Sequence, residues 1–229
     1  MAASESRRVE WTRDCAAVVP CFNEGVTIPA LVNGIREYLP TVFVVDDGST
    51  DGTAKESAAG GAAVIRNTAN RGKGSALRTG LNHARAQGFN WAITMDGDGQ
   101  HAAADIKAFF ACAEKTGAEL VIGDRLTAAE KIPPLRRVVN RLMTKLISRL
   151  TRTPLADSQC GFRLIHLEAW SKLSMTTDHF ETESEMLVQF IRAGHPVAFV
   201  PVQVIYHNRR SNIRPLIDTW RWLRWWLRQ

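Results

Sequence analysis

Two rhythms of apolar and polar positions alternate along this chain. Short apolar runs at Ala16 to Pro20, Thr41 to Val45, Ala62 to Ile65, Trp91 to Met95 and Leu120 to Ile122 read as buried strands. Between them, helical patterns run through Ile28 to Tyr38, Lys73 to Ala86 and Asp105 to Glu114. Strand and helix alternating at this spacing predict an α/β fold, a mostly parallel sheet covered by helices. Beyond Leu150 the regularity breaks. Phe162 to Ile165 and Val197 to Val204 read as strands, with a helix over Glu183 to Arg192 between them. No repeat, low-complexity tract or Ser/Gly linker divides the sequence, so residues 1–229 are expected to form a single domain.

Two segments carry charge as well as periodicity. After Pro133-Pro134, the residues Leu135, Val138, Val139, Leu142, Met143, Leu146, Ile147 and Leu150 recur at helical spacing. Arg136, Arg137, Arg141, Lys145 and Arg149 fill the positions between. The leading Pro and Pro154 bracket this helix. Its cationic polar face fits a helix lying in a membrane interface; the same pattern also fits a helix packed on the sheet. Near the C-terminus, Trp220, Trp222, Trp225 and Trp226 interleave with Arg221, Arg224 and Arg228. Trp prefers the headgroup level of a bilayer and Arg pairs with lipid phosphates. A buried terminal helix or a dimer interface is the other reading.

Composition narrows the partners. With 45% hydrophobic and 23% charged residues, the chain can bury a core and is not disordered. A net charge of +6 and a pI near 9.5 suit nucleic acid, an anionic membrane surface or a phosphorylated substrate. No nucleic-acid module motif appears, so no nucleic-acid partner is expected. Cys15, Cys21, Cys112 and Cys160 lie far apart, as expected of free thiols in a reducing compartment. Residues Met1 to Asp14 are polar and read as neither signal peptide nor anchor.

Candidate chemistry gathers at the predicted strand ends, the edge where open α/β sheets bind ligands. The fourth strand runs into Asp96-Gly97-Asp98-Gly99-Gln100-His101. Hard divalent cations take oxygen ligands and share them with substrate phosphates, so Asp-x-Asp here proposes a metal-bridged phosphate substrate. A solvated acidic turn is the plainer reading of that motif alone. Strand one ends in Pro20-Cys21-Phe22-Asn23-Glu24 and strand two in Asp46-Asp47-Gly48-Ser49-Thr50-Asp51, where Ser49-Thr50-Asp51 also suits a helix N-cap. Asn70-Arg71-Gly72-Lys73-Gly74-Ser75 opens a helix, and its cations and free amides suit a diphosphate.

These motifs, followed by Asp157-Ser158-Gln159-Cys160-Gly161-Phe162-Arg163, occur in the order found in a known family. The chain resembles the family 2 glycosyltransferases of the GT-A fold, near the dolichyl- and polyprenyl-phosphate mannosyl- and glucosyltransferases, over roughly residues 15 to 207. The resemblance implies a nucleotide-sugar-binding half over 12–125, an acceptor half over 126–212 and an amphipathic C-terminal helix over 213–229. Pro20, Phe22, Asn23, Glu24, Asp47 and Lys73 are then expected to bind the nucleotide. Asp96 is expected at the ribose or donor sugar. Asp98 and Gln100 are expected to hold a divalent cation, Mg2+ or Mn2+. Arg125, Arg136, Arg137 and Arg163 are expected to meet the acceptor phosphate. Glu181 and Glu183 match an acidic motif lining the sugar site, and Asp96, Asp98, Arg125 and Glu183 make up the expected catalytic set. Asn212 stands where the family often has Lys; Arg209, Arg210 or Arg214 is expected to supply the missing charge.

The implied reaction is inverting transfer of a hexose from a GDP- or UDP-sugar to a polyprenyl- or dolichyl-phosphate type lipid. The expected setting is peripheral, on the inner face of the cytoplasmic membrane, with a membrane-protein partner in reach. A family member acting on a hydroxyl of a lipid, pigment or polysaccharide is the alternative; it needs a base, Glu183 or Asp157. A response-regulator receiver is disfavoured because no Lys follows Leu120 to Ile122. A nucleotidyltransferase needs a Gly-rich basic loop directly after strand one, and Pro20 to Glu24 is not one. A silent membrane-recruiting protein of the same fold is disfavoured by the intact Asp96, Asp98 and Gln100.

Overall fold

A strand buried along its whole length needs neighbours on both edges and cover on both faces. Cys15–Cys21 (β1) has all of these: every one of its residues is buried. It pairs in parallel with Val42–Asp46 (β2) on one side and Trp91–Thr94 (β4) on the other. Ala63–Arg66 (β3) extends the sheet in parallel beyond β2. Leu120–Asp124 (β5), Arg163–His166 (β6) and Val197–Pro201 (β7) complete it. The computed structural model describes residues 9–126, 134–205 and 215–229. Its seven strands lie in the order β3-β2-β1-β4-β6-β5-β7. Only β6 runs against its neighbours, antiparallel to both β4 and β5. The expected α/β fold is therefore present. The strand expected over Val197 to Val204 ends at Pro201, and Val204 bridges His101 instead.

Helices cover the sheet: Trp11–Asp14 (α1), Ile28–Arg36 (α2), Thr53–Ala59 (α3), Lys73–Ala86 (α4), Ile106–Thr116 (α5), Pro134–Thr151 (α6), Leu167–Ser171 (α7), Thr182–Arg192 (α8) and Pro215–Trp226 (α9). The helical spacing of Ile28, Leu31, Val32 and Ile35 gives α2 its buried face. α4 packs on β1, β2 and β4, and α5 on β5, β6 and β7. α4 comes close because Gly80 has no side chain: a Cβ there would lie 2.4 Å from Val18 Cγ1 and 3.0 Å from Val45 Cγ2.

The two charged segments fold as helices with divided loyalties. α6 buries Thr144 and Ile147, while Leu135, Val138 and Leu142 stay exposed at 78%, 62% and 56%. α9 departs from a helix laid wholly in a membrane interface. Trp222 and Trp225 are buried, Trp226 packs against the core, and Trp222 Nε1 donates to Ser184 Oγ on α8 at 2.8 Å. Trp220 and Leu227 remain outward, 63% and 68% exposed. Burying an aromatic side chain contributes about 2–3 kcal/mol, so two buried Trp suffice to dock a short helix. Among the described residues, no helix is long and apolar enough to cross a membrane.

Candidate active site

Three parallel strands, β1, β2 and β4, deliver their C-terminal tips to one edge of the sheet. Asp96 and Asp98 follow β4 there, on a loop locked to the end of β1. Thr27 Oγ1 donates to the Gly97 carbonyl at 2.8 Å, and a Cβ on Gly97 would lie 2.6 Å from Cys21 Sγ. The reversed β6 adds the second wall. Its first residue, Arg163, sits opposite Thr94, so residues 157–162 arrive at the same edge. Thr94 Oγ1 fastens them by donating to the Gly161 carbonyl at 2.8 Å.

At this edge Lys73 Nζ lies 2.6 Å from Asp96 Oδ1 and 2.5 Å from Glu183 Oε1. One ammonium thus bridges carboxylates from two halves of the chain. Burial works against charge on Asp96, but Lys73, with His101 and Arg125, outweighs it and holds the carboxyl below the usual aspartate range. Burial likewise opposes the Lys73 ammonium, and Asp96 and Glu183 overcome it and raise its pKa. Asp98 differs: burial and then the charge of Asp96 push its pKa up, although Arg136 pulls the other way. Two neighbouring carboxyls of opposite tendency are the kind of perturbed pair that gathers at functional sites. Burial pushes His101 down to about 4, so its imidazole is neutral near pH 7. Glu183 Oε2 is buried and makes no hydrogen bond.

Arg125 stands beside this cluster, gripped two-pronged by Asp157. Its Nε is 2.8 Å from Oδ2, and its Nη2 is 3.1 Å from Oδ1. Burial opposes charge on Asp157, and Arg125 more than offsets it, so this carboxyl sits below the ordinary range.

The structure gathers Lys73, Asp96, Asp98, Gln100, Arg125 and Glu183 at one edge, and Arg136 lies near enough to favour the Asp98 anion. Pro20, Phe22 and Glu24 lie at the adjoining tip of β1, with Pro20 opposite Val45. Arg137 lies on α6 beside Arg136.

The structure gives several of the expected site residues partners within the protein. Arg163 is buried, and its guanidinium donates to the Cys160, Glu183 and Ser158 carbonyls at 2.8, 2.7 and 3.0 Å. Buried and tied to three backbone carbonyls, it frames the site rather than facing an acceptor phosphate. The Asp47 carboxylate is taken by Asn67 Nδ2 and the Arg71 and Gly72 amides. Asn23, left-handed at φ 57°, spends its side-chain oxygen on the Thr50 amide at 3.0 Å. The start of α4 is closed as well. Gly74 and Ser75 donate to the Asp178 carbonyl at 2.8 and 3.3 Å, so these two amides are not free for a diphosphate. Gly72 permits this closure: its φ is 101°, and a Cβ would lie 2.4 Å from the Asp178 carbonyl oxygen. Glu181 and Glu183 part company, and only Glu183 faces Lys73. Asn212, Arg209, Arg210 and Arg214 lie outside the described residues.

Sequence reasoning gave no role to Asp46. Its Oδ1 accepts from the Ser49 amide at 2.9 Å, while Oδ2 has no hydrogen bond and meets only Arg66 Nε at 3.3 Å. The signal available was its place as the last residue of a strand. The N-cap of α3 is Gly52 rather than Asp51, which lies one residue earlier and accepts from the Thr53 amide at 2.9 Å.

With this geometry in place, comparison with known proteins is informative. Residues 16–174 match the family model described as Glycosyl transferase family 2. A UDP-N-acetylglucosamine–dolichyl-phosphate N-acetylglucosaminyltransferase of Methanococcus voltae is 29% identical over 212 residues, covering 82% of this chain and 84% of the relative. The polyprenol monophosphomannose synthase of Mycolicibacterium smegmatis is 27% identical over 215 residues, 88% of this chain and 81% of the relative. Glucosyl-3-phosphoglycerate synthase from Mycobacterium tuberculosis, solved with Mn2+, UDP-glucose and phosphoglyceric acid, shares the fold. Its TM-score is 0.71 at 21% identity, over 94% of this chain and 77% of that one.

Proposed function

The chain belongs to glycosyl transferase family 2, and on that premise we propose that it moves a hexose from a nucleoside-diphosphate sugar to a polyprenyl- or dolichyl-phosphate type lipid at a membrane surface. The observation that carries this reading is the charge pattern at the strand edge: Asp96 held ionised by Lys73, with Asp98 raised beside it. Such a pair suits a divalent cation brought in with the donor. The names of the two curated relatives supply the acceptor class.

Asp98 and Gln100 would hold Mg2+ or Mn2+ through hard oxygens. No three His, Cys, Asp or Glu side chains form a ready metal cage among the described residues, which fits a cation that completes its shell with diphosphate and water. When bound, such a cation supplies charge stabilisation to the departing nucleoside diphosphate. Pro20, Phe22 and Glu24 would flank the nucleoside, with Asp46 Oδ2 as acceptor for a base N–H once Arg66 swings aside. Asp96 and the orphaned Glu183 Oε2 would accept sugar hydroxyls. Lys73 keeps Asp96 charged and, paired with Glu183 as well, holds both carboxylates in place. Arg125, with Arg136 and Arg137, would draw the acceptor phosphate to the anomeric carbon.

A phosphate monoester, with its second pKa near 6, is already an anionic nucleophile at neutral pH. One of its oxygens forms the new bond to the anomeric carbon. The bond to the donor diphosphate breaks on the opposite face, and its electron pair leaves with the diphosphate. The anomeric centre inverts, and no protein base takes part. A hydroxyl acceptor would need such a base. Asp157 is committed to Arg125 and Glu183 to Lys73, which favours the phosphate. The exposed Leu135, Val138 and Leu142, with Arg141 and Lys145 beside them, offer α6 to an anionic bilayer.

Calorimetric titration of GDP, UDP, CDP and dTDP, with and without Mn2+, tests the donor site. One nucleotide should bind only with Mn2+, and Asp98→Asn should remove that binding while thermal unfolding is unchanged. Equal affinity without metal, or in Asp98→Asn, would refute the assignment.

A further inference from the structure

A second charged hollow lies away from the strand edge. A cavity of about 470 Å3 opens between residues 176–181 and the C-terminal helix, within the size range of small-ligand sites. Arg221 and Arg224 line it from the helix, Arg228 from the turn that follows it, and His179 from the loop. Two further lining side chains are more than nine-tenths buried and incompletely bonded. Glu181, 8% exposed, leaves Oε2 without a hydrogen bond, and Trp225, 7% exposed, leaves Nε1 without one. Glu183 faces Lys73 instead, so this hollow is not the transfer site.

The two kinds of group ask for different things. Guanidinium groups gathered on one side of a helix and the turn after it suit a phosphate. An orphaned carboxylate oxygen asks for an O–H donor, and an orphaned indole N–H asks for an oxygen. One small ligand that satisfies all three is a phosphate diester bearing free hydroxyls. On the same helix and the turn after it, Ile217, Trp220 and Leu227 are exposed at 46%, 63% and 68%, an apolar set that suits the bilayer interface. We propose that the α9 cavity binds the headgroup of an anionic phospholipid with a polyol head, of the phosphatidylglycerol kind. The phosphate sits against Arg224 and Arg228, and a head hydroxyl donates to Glu181.

Vesicle co-sedimentation of the full chain tests this. Phosphatidylcholine vesicles carry equal fractions of phosphatidylglycerol or of phosphatidylmethanol, which has the same charge and no hydroxyl. Several-fold tighter binding to phosphatidylglycerol is expected, with free glycerophosphoglycerol competing. The double variant Arg224→Gln with Arg228→Gln should lose the preference at unchanged thermal stability. Lys145→Gln with Arg149→Gln on α6 should weaken binding to both lipids equally. If the arginine variant fails to fold, Glu181→Ala should abolish the preference and keep the charge-driven binding. Equal binding of the two lipids by the wild type would overturn the proposal, as would a preference that survives these changes. Binding of free glycerophosphoglycerol without any vesicle preference would reject the lipid as its source.

Discussion

Replacing Lys73 by Met keeps the length of the side chain and removes the one cation between two carboxylates. Its ammonium sits 2.6 Å from Asp96 and 2.5 Å from Glu183, with side-chain exposures of 16% for Lys73, 26% for Asp96 and 4% for Glu183. Deleting one partner of a buried ion pair costs about 3–5 kcal/mol. Solvent reaches part of Asp96 and screens it, so about 3 kcal/mol is expected here. For a chain of this length that lowers Tm by about 6–12 °C. The pH dependence identifies the cause. Asp96 is held below its ordinary pKa in the fold. It therefore adds stability above about pH 3.9, which is lost as pH falls through the folded value. Without Lys73 burial dominates and its pKa rises above the ordinary value. Ionised Asp96 then destabilises at neutral pH, and protonation relieves it. The raised pKa of Lys73 itself adds stability below about pH 10.4 and loses it only as pH climbs through the folded value, in alkali. Urea unfolding followed by Trp fluorescence should show the deficit of Lys73→Met largest near pH 7–8 and shrinking towards about pH 4. A deficit independent of pH would mean that lost packing, not the unpaired carboxylates, explains it.

Two glycines give sharper contrasts. A Cβ at Gly161 would lie 2.6 and 2.7 Å from the Asp96 oxygens and 2.9 Å from Lys73 Nζ. Making room displaces the Asp96–Lys73 pair without removing it, so Gly161→Ala should lower Tm by less than Lys73→Met does. It should lower kcat/KM by roughly a hundredfold, the cost of about an ångström of misplacement. At Gly80 the neighbours are core valines of β1 and β2, which cannot yield in the same way. Gly80→Ala should cost about 1–3 kcal/mol in chemical denaturation, and an unchanged midpoint would refute the close approach of α4 to the sheet.

The rhythm of apolar positions located most elements because burial imposes it. The helix over Lys73 to Ala86 and the strands around Asp46 and Asp96 stand where the pattern places them. Strand direction leaves no mark in a short apolar run, so the reversal of β6 was invisible. Charge misled at Arg163, because a basic residue in a motif suggests exposure, and only the fold shows three carbonyls closing around it. The acidic pair at the end of β2 was legible as a feature. Which member turns inward to the Arg71 and Gly72 amides depends on the backbone path after it. The interleaved Trp and Arg of the last residues marked an amphipathic helix. They could not tell whether lipid or α8 meets its apolar face, since both are apolar partners.

The reversed strand limits how this molecule can be recombined. β5 precedes α6 in sequence, yet its two sheet neighbours, β6 and β7, both follow α6. Cutting the chain after Asp124 to graft a new acceptor portion would therefore strip β5 of both partners and leave β4 with a bare edge. Chimaeras between relatives should fold only when both ladders of β6 come from compatible parents, or when exchange is confined to segments outside the sheet, such as α6. A segment outside the sheet is then easier to exchange than either half of the chain.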